Sequence, residues 1–439
     1  MTKRTLSQGF IFKFWVPLAS TWLMMSVEGP FLAAVIARMA EAKFNLAAYG
    51  VAFAMALLFE SPIILMMSAS TALVQDRESL LRLRNFCYSL NAVISALMAL
   101  CLIPQVFNGL ARDLIGLPPE VAALAYRATL VLLPWPAAIG YRRFYQGILI
   151  RSGRTRLVAY GTIVRLGSMS GVALLLSHLG RTEGCVTGTA ALSAGVVMEA
   201  IVSRFMAAGS VRHLLALSHK GGLKDKEALT YFGIARFYYP LALTAMLTMG
   251  VNPLVTFFLG QSRLPVESLA VMPVVNSLVF IFRSLGLAFQ DVGIALLGEK
   301  GEGYLPLRRF AAGLGTVAVG GLAAIAYTPI MNVWFHHLSG LTMELTAIAA
   351  VPVRILAFMP AFSVLLSFQH AMLVAGRETR PITWATIIEV CGVGLCLVLG
   401  IRYLGMVGAD AAACALMLGR IGAVAYLAAP VGKVKKGSR

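Results

Sequence analysis

Phe59-Glu60-Ser61 and Phe282-Arg283-Ser284 hold the same place in two copies of one pattern, 223 residues apart. At that spacing Pro17-Leu18-Ala19 meets Pro240-Leu241-Ala242, Leu46-Ala47 meets Leu269-Ala270, and Ala72-Leu73 meets Ala295-Leu296. One inserted residue moves the spacing to 224. Gly116-Leu117 then meets Gly340-Leu341, Pro136 meets Pro360, Thr155-Arg156 meets Thr379-Arg380, and Arg165 meets Glu389. A polytopic chain written twice predicts two like lobes, the arrangement of alternating-access carriers with a site between the lobes.

The chain is 59% hydrophobic and 13% charged, with mean hydropathy +0.81. A soluble domain of this size cannot hide that much apolar surface. Twelve apolar stretches recur, at 11–38, 46–74, 86–108, 120–141, 157–178, 186–208, 231–259, 268–297, 310–333, 345–372, 382–402 and 408–430. Each is long enough to cross a ~30 Å hydrocarbon core. Backbone groups in lipid must bond internally, so each is read as a helix. The expected fold class is all-α: a polytopic membrane protein of twelve helices in two pseudo-symmetric six-helix lobes. The N-lobe is placed at 1–215, a cytoplasmic linker at 216–230 and the C-lobe at 231–439. Six is even, so both copies enter from one side, related by an axis along the membrane normal. The first stretch is too long, and too well flanked by later spans, to be a cleaved signal peptide.

The net charge of +18 is a topology signal. With the N-terminus inside, cytoplasmic segments carry Lys3, Arg4, Arg77, Arg82, Arg142, Arg143, Arg151, Arg154, Arg156, Lys220 and Lys433 among many others. Outer segments hold Arg38, Lys43, Arg112, Arg181, Arg263 and Arg402. The asymmetry places both termini in the cytoplasm and the protein in the cell (inner) membrane; no nucleic-acid partner is expected. The polar run from His219 to Glu227 reads as a solvated loop held to lipid head groups. The six cysteines show no CxxC spacing and read as packing residues. Trp15, near a span end, is expected at the membrane interface, and Trp135 in packing or a cavity.

Phe144-Tyr145-Gln146-Gly147-Ile148-Leu149-Ile150-Arg151-Ser152-Gly153-Arg154-Thr155-Arg156 joins the fourth and fifth helices, and Phe368 to Arg380 repeats it in the second half. This turn resembles the re-entry motif of the multidrug/oligosaccharidyl-lipid/polysaccharide (MOP) exporter superfamily, which includes the MATE transporters. The six-plus-six repeat also matches, so the resemblance covers nearly the whole chain. Residues 16–53, with Val27-Glu28-Gly29-Pro30-Phe31 and Asn45-Leu46-Ala47-Ala48-Tyr49-Gly50, look most like bacterial relatives of the progressive ankylosis protein. The resemblance implies two helical bundles around a central cavity and export driven by a proton or sodium gradient. For the animal member it implies release of small polyanions. Where MATE proteins often place an Asp in the first helix this chain has Glu28, so their cation site does not transfer residue by residue.

Ionisable groups within a span cost about 2.5–3.5 kcal/mol each on insertion scales and call for partners, a wet cavity or a function. Each half owns one acid and one base at similar depth with the signs exchanged: Glu60 and Arg165, then Arg283 and Glu389. Two bridges within lobes, Glu60–Arg165 and Arg283–Glu389, are open, and so are Glu60–Arg283 and Arg165–Glu389 across the axis. Either set serves as packing or as a gate that re-pairs. Glu28 precedes Gly29-Pro30 in the first helix, and the matching Val251-Asn252-Pro253 keeps the proline without the acid. A carboxylate at a broken helix suits Na⁺ or a carried proton. Glu60 and Glu199 are further candidates for ion coupling. Arg165, Arg283 and Arg354 offer guanidinium forks for an anionic substrate, with Asn252 beside them; alternatively Glu60, Glu389 or backbone carbonyls consume them. Asp410 and Arg420 read as local ties.

No His-Glu-x-x-His, Walker loop or Gly-x-Ser-x-Gly is present. The expected function is therefore a secondary-active exporter of a small, anionic organic solute. No catalytic site, metal site or cofactor is expected beyond Na⁺ or H⁺, and the expected state is a monomer among membrane lipids. The alternatives are a lipid-linked oligosaccharide or polysaccharide flippase and a cationic-drug antiporter of the same superfamily.

Overall fold

The computed structural model describes residues 6–216, 230–297, 302–375, 378 and 380–437. Residues 217–229 of the expected linker, and Gly376, Arg377 and Thr379 of the second re-entry motif, lie outside the described residues. Twelve helices are long and apolar enough to cross a membrane: α1 (Gln8–Ala37), α2 (Ala42–Glu60), α3 (Arg77–Cys101), α4 (Pro119–Arg151), α5 (Thr155–Leu179), α6 (Gly184–Ala216), α7 (Tyr231–Gly260), α8 (Pro265–Leu296), α9 (Tyr304–Tyr327), α10 (Met343–Val374), α11 (Arg380–Tyr403) and α12 (Gly408–Gly432). The fold is all-α and multi-pass. Its outward faces carry large exposed apolar side chains such as Phe205, Val317 and Leu395, the surface that hydrocarbon rather than water covers. α4 reaches Arg151 rather than ending at 141, so Arg142 and Arg143 belong to a span and not to a cytoplasmic segment.

The repeat survives in the irregularities. α1 breaks at Val27 and α7 at Gly250, 223 residues apart. Each break lies three residues before a proline, Pro30 or Pro253. The ring lacks a donor and clashes with the carbonyl four residues back. α4 turns at 132–134 and α10 at 357–358, ahead of Pro136 and Pro360. The π-helical turns Gly109–Leu114 and Val333–Leu338 stand 224 apart. So do the left-handed Gly116 (φ 82°) and Gly340 (φ 77°). The copies diverge at Pro62, which ends α2 at Glu60 before a turn and the short helix Met66–Leu73. The matching Leu285 lets α8 run on unbroken. Glu60 therefore stands at a helix end, not in the middle of a continuous helix.

Packing divides the chain differently from the sequence repeat. One compact unit is Met39–Thr256; the other is Met1–Arg38 with Phe257–Arg439. The first helix of each copy groups with the other half: α1 packs against α8 and α9, and α7 against α2 and α3. These units differ from the lobes at 1–215 and 231–439 read from the repeat. In the first unit Tyr238 Oη donates to the Pro62 carbonyl at 2.8 Å, a carbonyl freed by the α2 break. In the second, Trp15 Nε1 donates to the Leu285 carbonyl at 3.2 Å. Tyr238 is Trp15 plus 223 and Leu285 is Pro62 plus 223, so the exchange is symmetric down to one hydrogen bond. Ile11, Trp15 and Ala19 bury against Phe289, Val292 and Phe368, which takes Trp15 away from the interface expected for it. At the far end Arg38 donates to the carbonyls of His337 and Leu338 at 2.8 and 2.7 Å. These charge-assisted bonds cap the π-turn with the end of α1.

α6 crosses α5, and α12 crosses α11, at a glycine. A Cβ on Gly195 of α6 would sit 3.0 Å from the Arg165 carbonyl oxygen of α5; one on Gly419 of α12 would sit 2.8 Å from the Glu389 carbonyl oxygen of α11. Small residues let helix backbones approach this closely in lipid. Gly419→Ala is expected to cost about 1–3 kcal/mol, because α11 must shift to admit the methyl group. Gly195→Ala, with 0.2 Å more room, should cost less. The midpoint of thermal denaturation in detergent checks both values.

Candidate functional site

The unit Met39–Thr256 concentrates charge around the second half of α4. Trp135 begins that half-helix, after the turn at 132–134, and Arg142, Arg143 and Gln146 follow on it. Glu199 of α6 is 1% exposed and forms an ion pair with Arg142, itself 3% exposed. Gln146 Nε2 donates to the other Glu199 oxygen at 2.9 Å, and Arg165 Nη1 lies 3.7 Å from Glu199 Oε2. A carboxylate in low dielectric is held by just such a set of donors. Glu60, 5% exposed, accepts a 2.8 Å hydrogen bond from Trp135 Nε1. Arg143 lies within electrostatic reach of Glu60, Glu199, Arg142 and Arg165. Its described hydrogen-bond contact is Met67 Sδ at 3.8 Å, a weak acceptor, and its buried Nε has no partner among the described residues.

The second unit repeats the theme with signs exchanged. Arg420 of α12 pairs with Glu389 of α11 at 2.9 Å, with both side chains largely buried. Arg283 of α8 lies within electrostatic reach of that pair. Its Nε donates to Ser363 Oγ at a long 3.3 Å. Arg165 on α5 with Glu199 on α6 corresponds to Glu389 on α11 with Arg420 on α12. The base comes first in one unit and the acid first in the other.

The two bridges expected within lobes are thus replaced. Arg165 meets Glu199 instead of Glu60, and Glu389 meets Arg420 instead of Arg283. The broken end of α2 turns Glu60 toward the Trp135 indole, while the glycine crossings press α5 on α6 and α11 on α12. Glu28 is half-buried and opens the second half of α1, in the first turn of Glu28–Ala37. Asn252 is exposed, two residues past the α7 break. Arg354 is exposed, and its Nε donates to the Ala326 carbonyl at 3.3 Å, near the end of α9, the backbone tie that is one of its two readings. Sequence reasoning missed Trp135, Arg142, Arg143, Gln146 and Arg420 as cluster members. For Arg420 a signal existed: Gly419 beside it matches Gly195, one turn before Glu199, at the spacing of 224.

No family profile and no curated protein matches the chain. Solved structures do. An inward-facing multidrug resistance MATE family transporter of the MOP superfamily aligns with TM-score 0.70 at 15% identity, over 95% of this chain and 96% of that one. The lipid II flippase MurJ, in an inward closed conformation, aligns with TM-score 0.70 at 13% identity, over 96% and 90%. A MOP superfamily transporter from Pyrococcus furiosus, reported with a binding pocket of reverse polarity that suggests a different function, aligns with TM-score 0.63 at 15% identity, over 97% and 96%. The chain therefore has the MATE-like fold of the MOP superfamily. The narrower likeness to relatives of the progressive ankylosis protein rests on residues 16–53 of the sequence.

Proposed function

We propose that this chain is a secondary-active transporter that exports a small anionic organic solute by alternating access, driven by a proton or sodium gradient. In this reading it sits as a monomer in the inner membrane with both termini cytoplasmic. One observation carries the choice of an anion: among the described residues, each unit's cluster holds one more guanidinium than carboxylate. Arg142, Arg143 and Arg165 stand against Glu60 and Glu199; Arg283 and Arg420 stand against Glu389. Guanidinium forks left over after pairing suit carboxylate or phosphate and repel lipophilic cations. Arg143, Arg283 and Arg165 are the proposed substrate contacts, with Asn252 beside the α7 break. The reported reversal of pocket polarity in the P. furiosus transporter gives precedent for a pocket of altered polarity on this fold. Glu28, at the break in α1, is the proposed coupling carboxylate, with Glu60 as a second. Glu199 is spent on Arg142, Gln146 and Arg165 and serves as their counter-ion.

A lipid-linked saccharide flippase is the second reading, favoured by the equal structural likeness to MurJ. Proteoliposomes loaded in turn with citrate, nucleotides, pyrophosphate or cationic dyes, under separate proton and sodium gradients, decide between the two. Saturable, gradient-dependent flux of an anion is expected. Flux of dyes alone, or of lipid-linked saccharide alone, would overturn the proposal. Glu28→Gln is expected to keep binding but lose dependence on the driving ion; unchanged coupling removes Glu28 from the mechanism.

A further inference from the structure

The turn between α4 and α5 meets the end of α6 around a basic cavity whose lining includes neither Glu60 nor Glu199. It encloses about 380 Å³ and is lined by Arg151, Ser152, Arg154, Ser210, His213 and their neighbours, with no carboxylate among the lining residues. Three features make it a built site. The turn is fixed by Gly153 in the left-handed region, φ 71°, and by Arg154 N donating to the Leu149 carbonyl at 2.9 Å. A side chain other than glycine would strain it. Arg151 is anchored through one Nη1 bond to the Thr71 carbonyl at 3.1 Å, which sets its guanidinium without neutralising it. Arg154 Nη1 lies 3.4 Å from where a Cβ on Gly209 would stand, so it spans the cavity toward α6. Behind it Ser210, 6% exposed, has a buried Oγ with no hydrogen-bond partner among the described residues. A buried hydroxyl left unpaired has a cost that a ligand oxygen would remove.

From these observations we infer that the Arg151–Arg154–Ser210 cavity binds a phosphate group. Two guanidinium groups, a hydroxyl and an imidazole line one cavity with no carboxylate among its described lining residues, the donor set that a phosphate with its several acceptor oxygens satisfies. The bearer is either the headgroup of an anionic phospholipid, since basic pockets between membrane helices on the cytoplasmic side suit such headgroups, or a free phosphate compound. The site is separate from the proposed substrate contacts, and its test does not depend on transport.

The full-length protein in detergent is titrated with inorganic phosphate, glycerol 3-phosphate and short-chain phosphatidylglycerol, and thermal stabilisation is recorded. A ligand that binds only the folded state raises the midpoint in a saturable way. Saturable stabilisation by at least one probe is expected, weakened about tenfold or more in the Arg151→Gln/Arg154→Gln double variant. Stabilisation by the phospholipid alone identifies a headgroup site; stabilisation by all three identifies a site for phosphate itself. Gly209→Val keeps every cation but obstructs the cavity, and it should weaken binding in parallel. It decides the matter if the double variant does not fold. The inference is overturned if no probe stabilises saturably, or if a variant that folds binds as the wild type does.

Discussion

Glu199→Leu is expected to cost about 3–5 kcal/mol and to leave little folded protein in the membrane, because it leaves the buried Arg142 guanidinium without its carboxylate. The carboxylate is 1% exposed and its partners sit on α4 and α5, so the loss loosens three helices at once. Gln146 also loses its acceptor. The cost is mainly that of the buried guanidinium groups left behind, not of the contact removed. The distinguishing result is therefore a cycle. Arg142→Leu added to Glu199→Leu should recover part of the lost stability, since the stranded charge is then gone. Denaturation midpoints of the two single variants and the double variant measure the coupling. Additive losses would show that Glu199 acts through something other than its pair with Arg142.

Arg143→Gln and Arg283→Gln are expected to do the reverse: spare the fold and sharply reduce anion flux. Neither guanidinium is matched to a carboxylate of its own. Arg143 makes a weak sulfur contact and Arg283 a long hydroxyl bond, so truncation strands no acid. Each charge-assisted bond to a substrate oxygen contributes about 1.5–3 kcal/mol, which corresponds to roughly 10- to 150-fold in affinity. Counterflow of the transported anion in proteoliposomes should fall by that factor in each single variant, with the denaturation midpoint nearly unmoved. Lysine at either position should restore part of the flux, since a point charge replaces the fork only partly. Wild-type flux in both variants would remove the arginines from substrate recognition while leaving the carrier reading intact.

Spans, their order and their breaks were legible because hydropathy and proline act locally. A stretch such as 382–402 is helical in lipid whatever lies beside it, and Pro30, Pro253 and Pro360 break their helices just upstream wherever those helices pack. The matched spacings of 223 and 224 even locate the paired π-turns. The fourth span was cut short at 141 because Arg142 and Arg143 resemble a cytoplasmic end; only the pairing of Arg142 with Glu199 makes it tolerable inside the bundle.

The partners of the charges were legible in kind but not in identity. The sequence shows the exchange of sign between Arg165 and Glu389 and leaves their partners open within or across lobes; in the structure Arg165 lies by Glu199 and Glu389 by Arg420. A helix fixes the depth of a side chain along its axis but not the neighbour it faces. Rotation and crossing are set by contacts between helices, such as Gly195 on Arg165 and Gly419 on Glu389, which a pattern read along one helix does not contain.

By itself the sequence determined a duplicated, twelve-helix membrane fold, since lipid obliges every apolar stretch to bond within itself and duplication copies each turn in register. Only the tertiary structure decided that α1 joins the second half and α7 the first, and that Glu199 and Arg420 complete the buried pairs. Two copies of one pattern offer nearly equivalent surfaces to either first helix. The choice between them depends on side-chain fit, Trp15 against Leu285 and Phe289, Tyr238 against Pro62, which neither hydropathy nor periodicity encodes.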